Sequence, residues 1–291
     1  MKFAFIAAQE VAFSVKALCR VLGISRSGYY AWRKRPKATR AADDARLTAE
    51  VVAAHRRSRG IYGSPRIHRD LRACGLRIAR KRVERLMRES GLKGRQKRRF
   101  HRTTDSRHEL PIAPNQLAQQ FDPPAPNQVW AGDVTYIATE QGWLYLAVIL
   151  DLFSRRVVGW STSAINDRHL VVRALRNAIR KRRPPSGLLH HSDRGSPYAS
   201  ADYAAVLREH AIDASMSRTG NCYDNAVVES FFGSLKTELG GADSYPSRLV
   251  AAAAVGDYIE NFYNPQRRHS RLNYLSPIEF ELRAHTAAFA A

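Results

Sequence analysis

Three acidic residues stand in sequence positions where a folded chain has little reason to place a charge. Asp133 interrupts the apolar run VWAGDVTYI, Asp193 follows the buried-strand pattern LLHHS, and Glu229 lies within NAVVESFFGSL. A buried carboxylate without a partner is energetically costly, so we expect a partner such as a metal ion at these positions. Three carboxylates without a local Cys or His set favour Mg²⁺ or Mn²⁺ over zinc.

Each carboxylate also has an ordinary structural explanation. Asp133 would accept a hydrogen bond from a neighbouring loop, and Asp193 would cap the turn that follows it. Glu229 would pair with Lys236. Singly, these explanations are as good as a metal site. Together they must account for carboxylates on the first strand, the fourth strand and a late helix of one predicted sheet, and a shared site explains that better.

The sequence after residue 127 predicts the elements that would position these carboxylates. Apolar segments at 128–139, 142–151 and 156–164, separated by short polar turns, predict three consecutive antiparallel strands. Further short strands are predicted at 187–191 and 212–217, and helices at 168–183, 201–211 and 225–240. The order β-β-β-α-β-α-β-α predicts an α/β fold, a ribonuclease-H-like mixed sheet with helices on its faces.

The first part of the chain predicts an all-α region with a helix-turn-helix. Residues 15–32, VKALCRVLGISRSGYYAW, predict two short helices with a turn at Gly23, the second capped by Ser25. In this motif the second helix enters the major groove of DNA. Arg26, Tyr29 and Tyr30 are therefore expected to face outward.

A second helical segment, residues 43–91, predicts a basic surface. Helices are expected at 43–59 and on both sides of a break at 74–76, with Gly91 ending the last. A solvated helix face normally mixes charge signs, whereas this one is almost wholly basic. The pattern favours contact with phosphates over simple solvation.

The distribution of charge divides the chain into a basic and a nearly neutral part. The formal net charge is +21, and residues 1–110 carry 29 Lys+Arg against nine Asp+Glu. The remaining residues carry 18 Lys+Arg against 17 Asp+Glu. Such a balance favours a polyanionic partner for the first part and an ordinary enzyme core in the second.

The sequence predicts five segments. They are a helix-turn-helix DNA-binding segment at 1–40, a second basic helical domain at 41–95, a basic then Pro-rich linker at 96–127, a ribonuclease-H-like catalytic core at 128–240, and a C-terminal helix with a basic and aromatic tail at 241–291. Three scattered cysteines predict neither disulfides nor a structural zinc site. No membrane span or signal peptide is predicted, so we expect a cytoplasmic protein that associates with the nucleoid when it binds DNA.

Three motifs give a specific resemblance. WAGDVTYI, HHSDRGSPY and SRTGNCYDNAVVESFFGSLKTE resemble the motifs of the DDE integrase core, and more narrowly the OrfB product of insertion-sequence-three-family transposases. Thirty-five residues separate Asp193 from Glu229, which matches the family's Asp-35-Glu signature. Lys236 stands at the basic position seven residues after the glutamate, about 10 Å away on the same helical face.

The resemblance implies a transposase that cleaves DNA strands and transfers them to a target. Asp133, Asp193 and Glu229 would hold two Mg²⁺ ions, with Mn²⁺ as a substitute. One ion would activate water or a DNA 3′-hydroxyl, and the other would stabilise the leaving 3′-oxygen. The implied partners are the element ends, the target DNA, further copies of the chain, and an OrfA protein or an OrfA–OrfB fusion.

Other residues are weaker candidates. The residues assigned to DNA contact are Lys236, Asn225, Arg26, Arg66, Arg80, Lys81, Arg85, Arg267 and Arg268. Asn225 would alternatively orient the site, and the aromatic-basic tail around Arg267 would alternatively pack on the core. Asp224 is expected to cap the last core helix, and at most one of His190 and His191 to face the metals.

Two other functions fit parts of the sequence. One is a nuclease or resolvase of the same fold that hydrolyses DNA without joining it, which the Asp-35-Glu spacing with Lys236 disfavours. The other is a non-enzymatic helix-turn-helix regulator with a decayed core, which intact acids at all three positions disfavour.

Overall fold

The computed structural model describes residues 2–34, 39–95, 111–218, 222–240 and 244–289. The chain forms two compact units, residues 1–93 and 94–291. The first is helical and the second contains the sheet. Among the described residues, no helix has the length and apolar character needed to cross a membrane.

The first unit begins with three short helices. They are α1 (Lys2–Gln9), α2 (Val15–Leu22) and α3 (Arg26–Lys34). Gly23 ends α2 with a φ of 63°, and the Ser25 hydroxyl accepts a hydrogen bond from the Gly28 amide at 3.0 Å, as expected of a turn and an N-cap. The helix-turn-helix prediction is therefore confirmed at the level of its elements.

Two details of this helix-turn-helix differ from the sequence prediction. Helix α1 was not anticipated, and it packs its buried Ile6 against Cys19 and Tyr29. Tyr29 is fully buried, so the prediction that it faces outward is wrong, whereas Tyr30 is exposed. The extra helix explains the difference, because it gives the tyrosine an apolar neighbour that the two-helix pattern lacks.

Three further helices complete the first unit. They are α4 (Thr39–Arg57), α5 (Ser64–Ala73) and α6 (Arg80–Glu89). Pro65 lies in the first turn of α5, and Gly91 follows α6 with a φ of 66°. These are the start and stop signals on which the helix predictions depended.

The second unit is built on a five-stranded mixed sheet. Its strands are β1 (Val129–Ile137), β2 (Leu144–Asp151), β3 (Val157–Ser163), β4 (Leu189–Ser192) and β5 (Asp213–Met216). The spatial order is β3-β2-β1-β4-β5, with antiparallel pairs on the β3 side and parallel pairs β1–β4 and β4–β5. The helices among the strands are α7 (Arg168–Arg182), α8 (Ala201–Glu209) and α9 (Ala226–Glu238). The predicted fold class and element order are confirmed.

Close contact between α7 and the sheet depends on Gly159 in β3. A Cβ atom at this position would lie 2.4 Å from the Ala174 carbonyl oxygen and 2.6 Å from the Ala178 Cβ. The glycine thus lets the helix backbone approach the strand. The core that forms there includes the fully buried Trp130 of β1.

Residues 111–120, which we call the strap, pack against the edge of the sheet at β5. The backbone amides of Gln116 and Leu117 donate to the Ser215 hydroxyl at 3.0 and 3.2 Å, and the Leu117 side chain is buried. This part of the predicted linker is therefore not a free extended segment. Covering the edge strand is the physical reason, because it satisfies polar groups that would otherwise be open. Residues 96–110 of the predicted linker lie outside the described residues.

The C-terminal region adds α10 (Arg248–Asp257), a π-helical turn at Tyr258–Tyr263, a 3₁₀ turn at Ser270–Leu272 and α11 (Pro277–Phe289). Tyr258, Phe262 and Tyr263 are buried. The region therefore packs on the core, the alternative that the sequence left open for its aromatic residues.

Candidate active site

The parallel register of β1 and β4 brings Asp133 and Asp193 together. Ala131 is paired with His191, and Asp133 and Asp193 each follow two residues later, with Asp193 just beyond the end of β4. Paired residues of adjacent strands point to the same face and lie about 4.8 Å apart across the sheet. Two carboxylates sixty positions apart in sequence thus occupy one side of the sheet at the end of β4.

The backbone nearby fixes both side chains. The Val134 amide donates to Asp133 Oδ1 at 2.7 Å, and the Gly195 amide donates to Asp193 Oδ1 at 2.9 Å. Asp193 therefore also caps the turn that follows it, as its structural explanation required. The two roles are compatible, because a carboxylate has more than one acceptor site.

The charges of the candidate residues act on one another. Burial raises the pKa of Asp133 well above its usual value, and the negative charges of Asp193 and Glu229 raise it further. Lys236 acts in the opposite direction, as does the Val134 amide. All four charged groups predicted for the site therefore share one electrostatic environment.

Glu229 stands apart from the aspartate pair in one respect. It lies in the first turn of α9 and is exposed. Within the described part of the chain, no three His, Cys, Asp or Glu side chains are close enough together to hold one metal ion. The structure thus brings the two aspartates side by side and places the glutamate within electrostatic reach of them.

Lys236 faces the same region from α9. Its Nζ lies 4.5 Å from the centroid of the Tyr136 ring on β1, a cation–π contact. Burial lowers the pKa of Lys236, and the charge of Asp133 opposes that shift. The lysine is therefore positioned by β1 beside the aspartates.

Asn225 ties the start of α9 to β1. Its Nδ2 donates to the carbonyl oxygen of Gly132, the residue before Asp133, at 3.3 Å. The side chain is buried, which contradicts a surface contact with DNA and supports the alternative that it orients the site.

Both histidines before Asp193 are buried and neutral. Burial lowers the pKa of His190 to about 3 and that of His191 to about 4. His190 Nε2 meets the Tyr203 hydroxyl at 3.1 Å, and His191 lies between Ser215 and Ser217 at 2.9 and 3.1 Å. These contacts support the packing role that the sequence favoured.

Asp224 does not cap α9, so that prediction is wrong. The carboxylate is fully buried and accepts hydrogen bonds from the Arg218 amide at 2.8 Å and from Asn115 and Gln119 of the strap at 2.9 and 3.0 Å. The Arg218 guanidinium holds the pKa of Asp224 well below its usual range. A 3₁₀ turn at Cys222–Asn225 precedes α9 and directs the carboxylate inward, which the sequence pattern did not reveal.

Arg267 is not a DNA-contacting residue, so that assignment is wrong. Its guanidinium is buried and donates two hydrogen bonds of 2.6 Å to the Glu238 carboxylate at the end of α9. The Tyr258 hydroxyl donates to the same carboxylate at 2.8 Å. Arg268 is half-buried and donates to the Tyr274 carbonyl oxygen at 2.8 Å. Arg267, which was predicted to contact DNA, instead forms an internal ion pair with the end of α9.

The basic candidates of the first unit fall into two groups. Arg26 is exposed at the start of α3, and Arg80 and Lys81 are exposed at the start of α6. Arg85 forms ion pairs within the unit, with Asp44 at 2.7 Å and Glu89 at 3.0 Å, and its assignment to DNA contact stays a prediction.

Arg66 lies over the Tyr62 ring, with 5.3 Å between the guanidinium carbon and the ring centroid. It is half-buried, so its stem is held by the aromatic ring of its own unit. The residues of this unit that remain best placed for phosphate contact are therefore at the starts of α3 and α6.

Comparison with known proteins assigns both units to families. The integrase core domain matches residues 123–222 and again 210–277, and an HTH-like domain matches residues 42–100. A solved structure of the HTLV-2 integrase catalytic core domain in complex with magnesium aligns with a TM-score of 0.44 and 20% identity, covering 54% of this chain and 98% of that one.

Two curated relatives match over almost their entire length. An insertion element IS600 protein of 31 kDa from Shigella sonnei is 46% identical over 271 residues, covering 93% of this chain and 100% of the relative. The transposase InsF for insertion sequence IS3A from Escherichia coli is 45% identical over 283 residues, covering 97% and 98%. The chain therefore belongs to the IS3 family of insertion-sequence transposases, with an integrase catalytic core preceded by an HTH-like domain.

Proposed function

We propose that this transposase cuts the strands at the ends of its insertion sequence and joins them to target DNA at the site formed by Asp133, Asp193 and Glu229. The observation that carries this proposal is the β1–β4 register, in which the partners Ala131 and His191 each stand two residues before a candidate aspartate. The effect of the Glu229 charge on Asp133 adds the third carboxylate to the same region.

The residues of the site fit a divalent cation. Burial raises the pKa of Asp133, and the negative charges of Asp193 and Glu229 raise it further, so the Asp133 carboxylate lies in a region of negative potential. A pair of Mg²⁺ ions, or Mn²⁺ in their place, would neutralise it and supply acidification of the attacking hydroxyl and stabilisation of the leaving oxygen. Asp133, Asp193 and Glu229 would hold these ions through their carboxylate oxygens.

The other residues of the site have distinct tasks in this proposal. Lys236 binds a phosphate of the DNA end, because its ammonium lies beside the aspartates on the face that DNA must approach. Asn225 keeps the start of α9 against β1, which fixes the base of the helix that carries Glu229. The buried, neutral His190 and His191 keep the β4 end rigid without adding charge.

DNA is held by the first unit in this proposal. The exposed Arg26, Arg80 and Lys81 stand at helix starts, where backbone amides also favour phosphate. We further propose that several copies of the chain assemble on the element ends and that an OrfA partner or fusion contributes to recognising those ends.

The test is a cleavage and joining assay with Asp133→Asn. With labelled element ends, a target plasmid, Mg²⁺ and fused OrfA, we expect wild-type protein to yield cleaved and joined products. The variant should yield neither while it binds DNA as the wild type does. The matched control is Asp213→Asn, since Asp213 is an exposed aspartate at the start of β5. Cleavage by Asp133→Asn would remove this residue from the mechanism, and cleavage without joining by the wild type would favour a nuclease.

A further inference from the structure

Tyr198 lies in the turn that connects Asp193 to α8. Its backbone amide donates to the Gly195 carbonyl oxygen at 3.0 Å, and its side chain is buried. The ring packs edge-on against Tyr203, with 5.2 Å between the centroids, and lies 6.5 Å from the His190 ring. The phenol is therefore held in one place by a cluster of rings below the site.

The Tyr198 hydroxyl is buried and has no hydrogen-bond partner among the described residues. The neighbouring Tyr203 differs, because its hydroxyl meets His190 Nε2 at 3.1 Å. Buried polar groups are nearly always paired, and leaving one unpaired destabilises the folded state. A phenylalanine would fill the same space without that penalty, so packing alone does not account for a tyrosine here.

The charges around Tyr198 indicate what its hydroxyl serves. Burial raises the pKa of Tyr198 well above its usual value, and the negative charges of Asp133 and Asp193 raise it further. The phenol therefore keeps its proton at neutral pH and is a hydrogen-bond donor. Both carboxylates of the candidate pair act on it, so the donor lies near the negative potential of the site.

We propose that Tyr198 is a positioning residue of the active site, whose hydroxyl donates a hydrogen bond, through one water molecule, to the Asp133–Asp193 carboxylate pair when that pair holds its divalent cation. The bond orients the two carboxylates towards the ion and gives the buried hydroxyl its missing partner. The inference rests on the proposed function in one respect, namely that the aspartate pair binds the cation.

The test is Tyr198→Phe in the full-length chain, with three measurements. We expect the melting temperature without divalent cations to be unchanged or higher, because the substitution removes an unpaired polar atom. We expect Mn²⁺ affinity, measured by calorimetry without DNA, to fall roughly 10- to 100-fold, the usual effect of removing a group that orients metal ligands. The cleavage kcat should fall by a similar factor while KM for DNA stays the same.

Tyr203→Phe is the matched control. It removes a hydroxyl of the same ring cluster that is bonded to His190, so we expect a lower melting temperature with no selective loss of Mn²⁺ affinity. A lower melting temperature in Tyr198→Phe together with wild-type Mn²⁺ affinity would overturn the inference, since the hydroxyl would then have a purely structural partner. Wild-type affinity and rate at an unchanged melting temperature would also overturn it.

Failure of the proposed function gives a different result. If wild-type protein and Asp133→Asn bind Mn²⁺ equally, the aspartate pair is not the metal site, and both proposals fall together. If only the wild type binds Mn²⁺ and Tyr198→Phe retains that binding and the wild-type kcat, the proposed function stands and the inference about Tyr198 is wrong.

Discussion

At the scale of single residues, the defining feature of this protein is a set of negative charges gathered where the fold disfavours them. Asp133 shows this most clearly, because burial and two neighbouring carboxylates all raise the pKa of its side chain. An acid whose pKa is higher in the folded than in the unfolded state stabilises the fold only while it is protonated. The ionised site is therefore a source of instability that a bound cation would relieve.

Asp133→Asn should therefore melt at a higher temperature than wild-type protein at neutral pH without divalent cations. The loss of stability that ionised Asp133 causes in the wild type is absent below the unfolded-state pKa of this aspartate, about 3.9. It grows as pH rises towards the folded-state pKa. The difference between the two proteins should therefore shrink as pH falls towards 4, about the unfolded-state value. Thermal unfolding followed by circular dichroism from acidic to neutral pH measures it. A difference that does not change with pH would contradict the electrostatic explanation.

Sequence reasoning expected Asp133 and Asp193 to lie close together, which agrees with the effect of Asp193 on the pKa of Asp133, but it misassigned Asp224 and Arg267. A carboxylate inside an apolar strand is conspicuous, because its neighbours show that the position is buried. Arg267 lies in a polar segment, and its partner Glu238 belongs to another element. Nothing local to either residue indicates such a contact, so burial of a charged residue by a distant partner could not be predicted.

At the scale of elements, the alternation and helical spacing of apolar residues were sufficient to predict strands β1–β5 and helices α7–α9. They failed at the strap, because five prolines between residues 111 and 126 indicate an extended chain but not what it packs against. The structure shows that the strap covers β5, where the Leu117 amide donates to the Ser215 hydroxyl. The strap also contacts the turn before α9, because Asn115 donates to the Asp224 carboxylate. Part of the segment between the predicted domains is thus a structural component of the core.

Substitutions in the strap should destabilise the core. Leu117→Ala removes a buried leucine and is expected to cost about 2–5 kcal/mol in the free energy of unfolding. Asn115→Ala removes a hydrogen bond to a buried carboxylate, for which about 1.5–3 kcal/mol is expected. Urea unfolding measures both. Gln120→Ala is the control, since its side chain is exposed and a change within about 0.5 kcal/mol is expected. Equal stability of all three variants would show that the strap does not support the fold.

At the scale of the whole molecule, charge is distributed unevenly between a basic and a nearly neutral part of the chain. Residues 1–110 carry 29 Lys+Arg against nine Asp+Glu, whereas the rest of the chain is almost balanced. Some of the basic surface is neutralised internally, because Arg82 and Arg85 pair with Asp43 and Asp44. The phosphate-binding capacity is therefore smaller than the 29 basic residues alone imply.

Lys81→Ala should weaken DNA binding and reduce its dependence on salt. Loss of one phosphate contact lowers the slope of log K against log salt concentration by about one. Fluorescence anisotropy at several KCl concentrations gives the slope. Arg283→Ala serves for comparison, because Arg283 is exposed on α11 in the nearly neutral unit and should leave the slope unchanged. An unchanged slope in Lys81→Ala would place the phosphate contacts elsewhere.

The ion pair between Glu238 and Arg267 also constrains how the enzyme matures during translation. The ribosome completes α9 before it adds the arginine that neutralises the end of that helix. Until then, docking α9 on the sheet would bury the Glu238 carboxylate without its Arg267 partner, at a cost of roughly 3–5 kcal/mol. Nascent or prematurely terminated chains that end before residue 267 should therefore remain inert, and catalytic competence should arise only after Arg267 has been added.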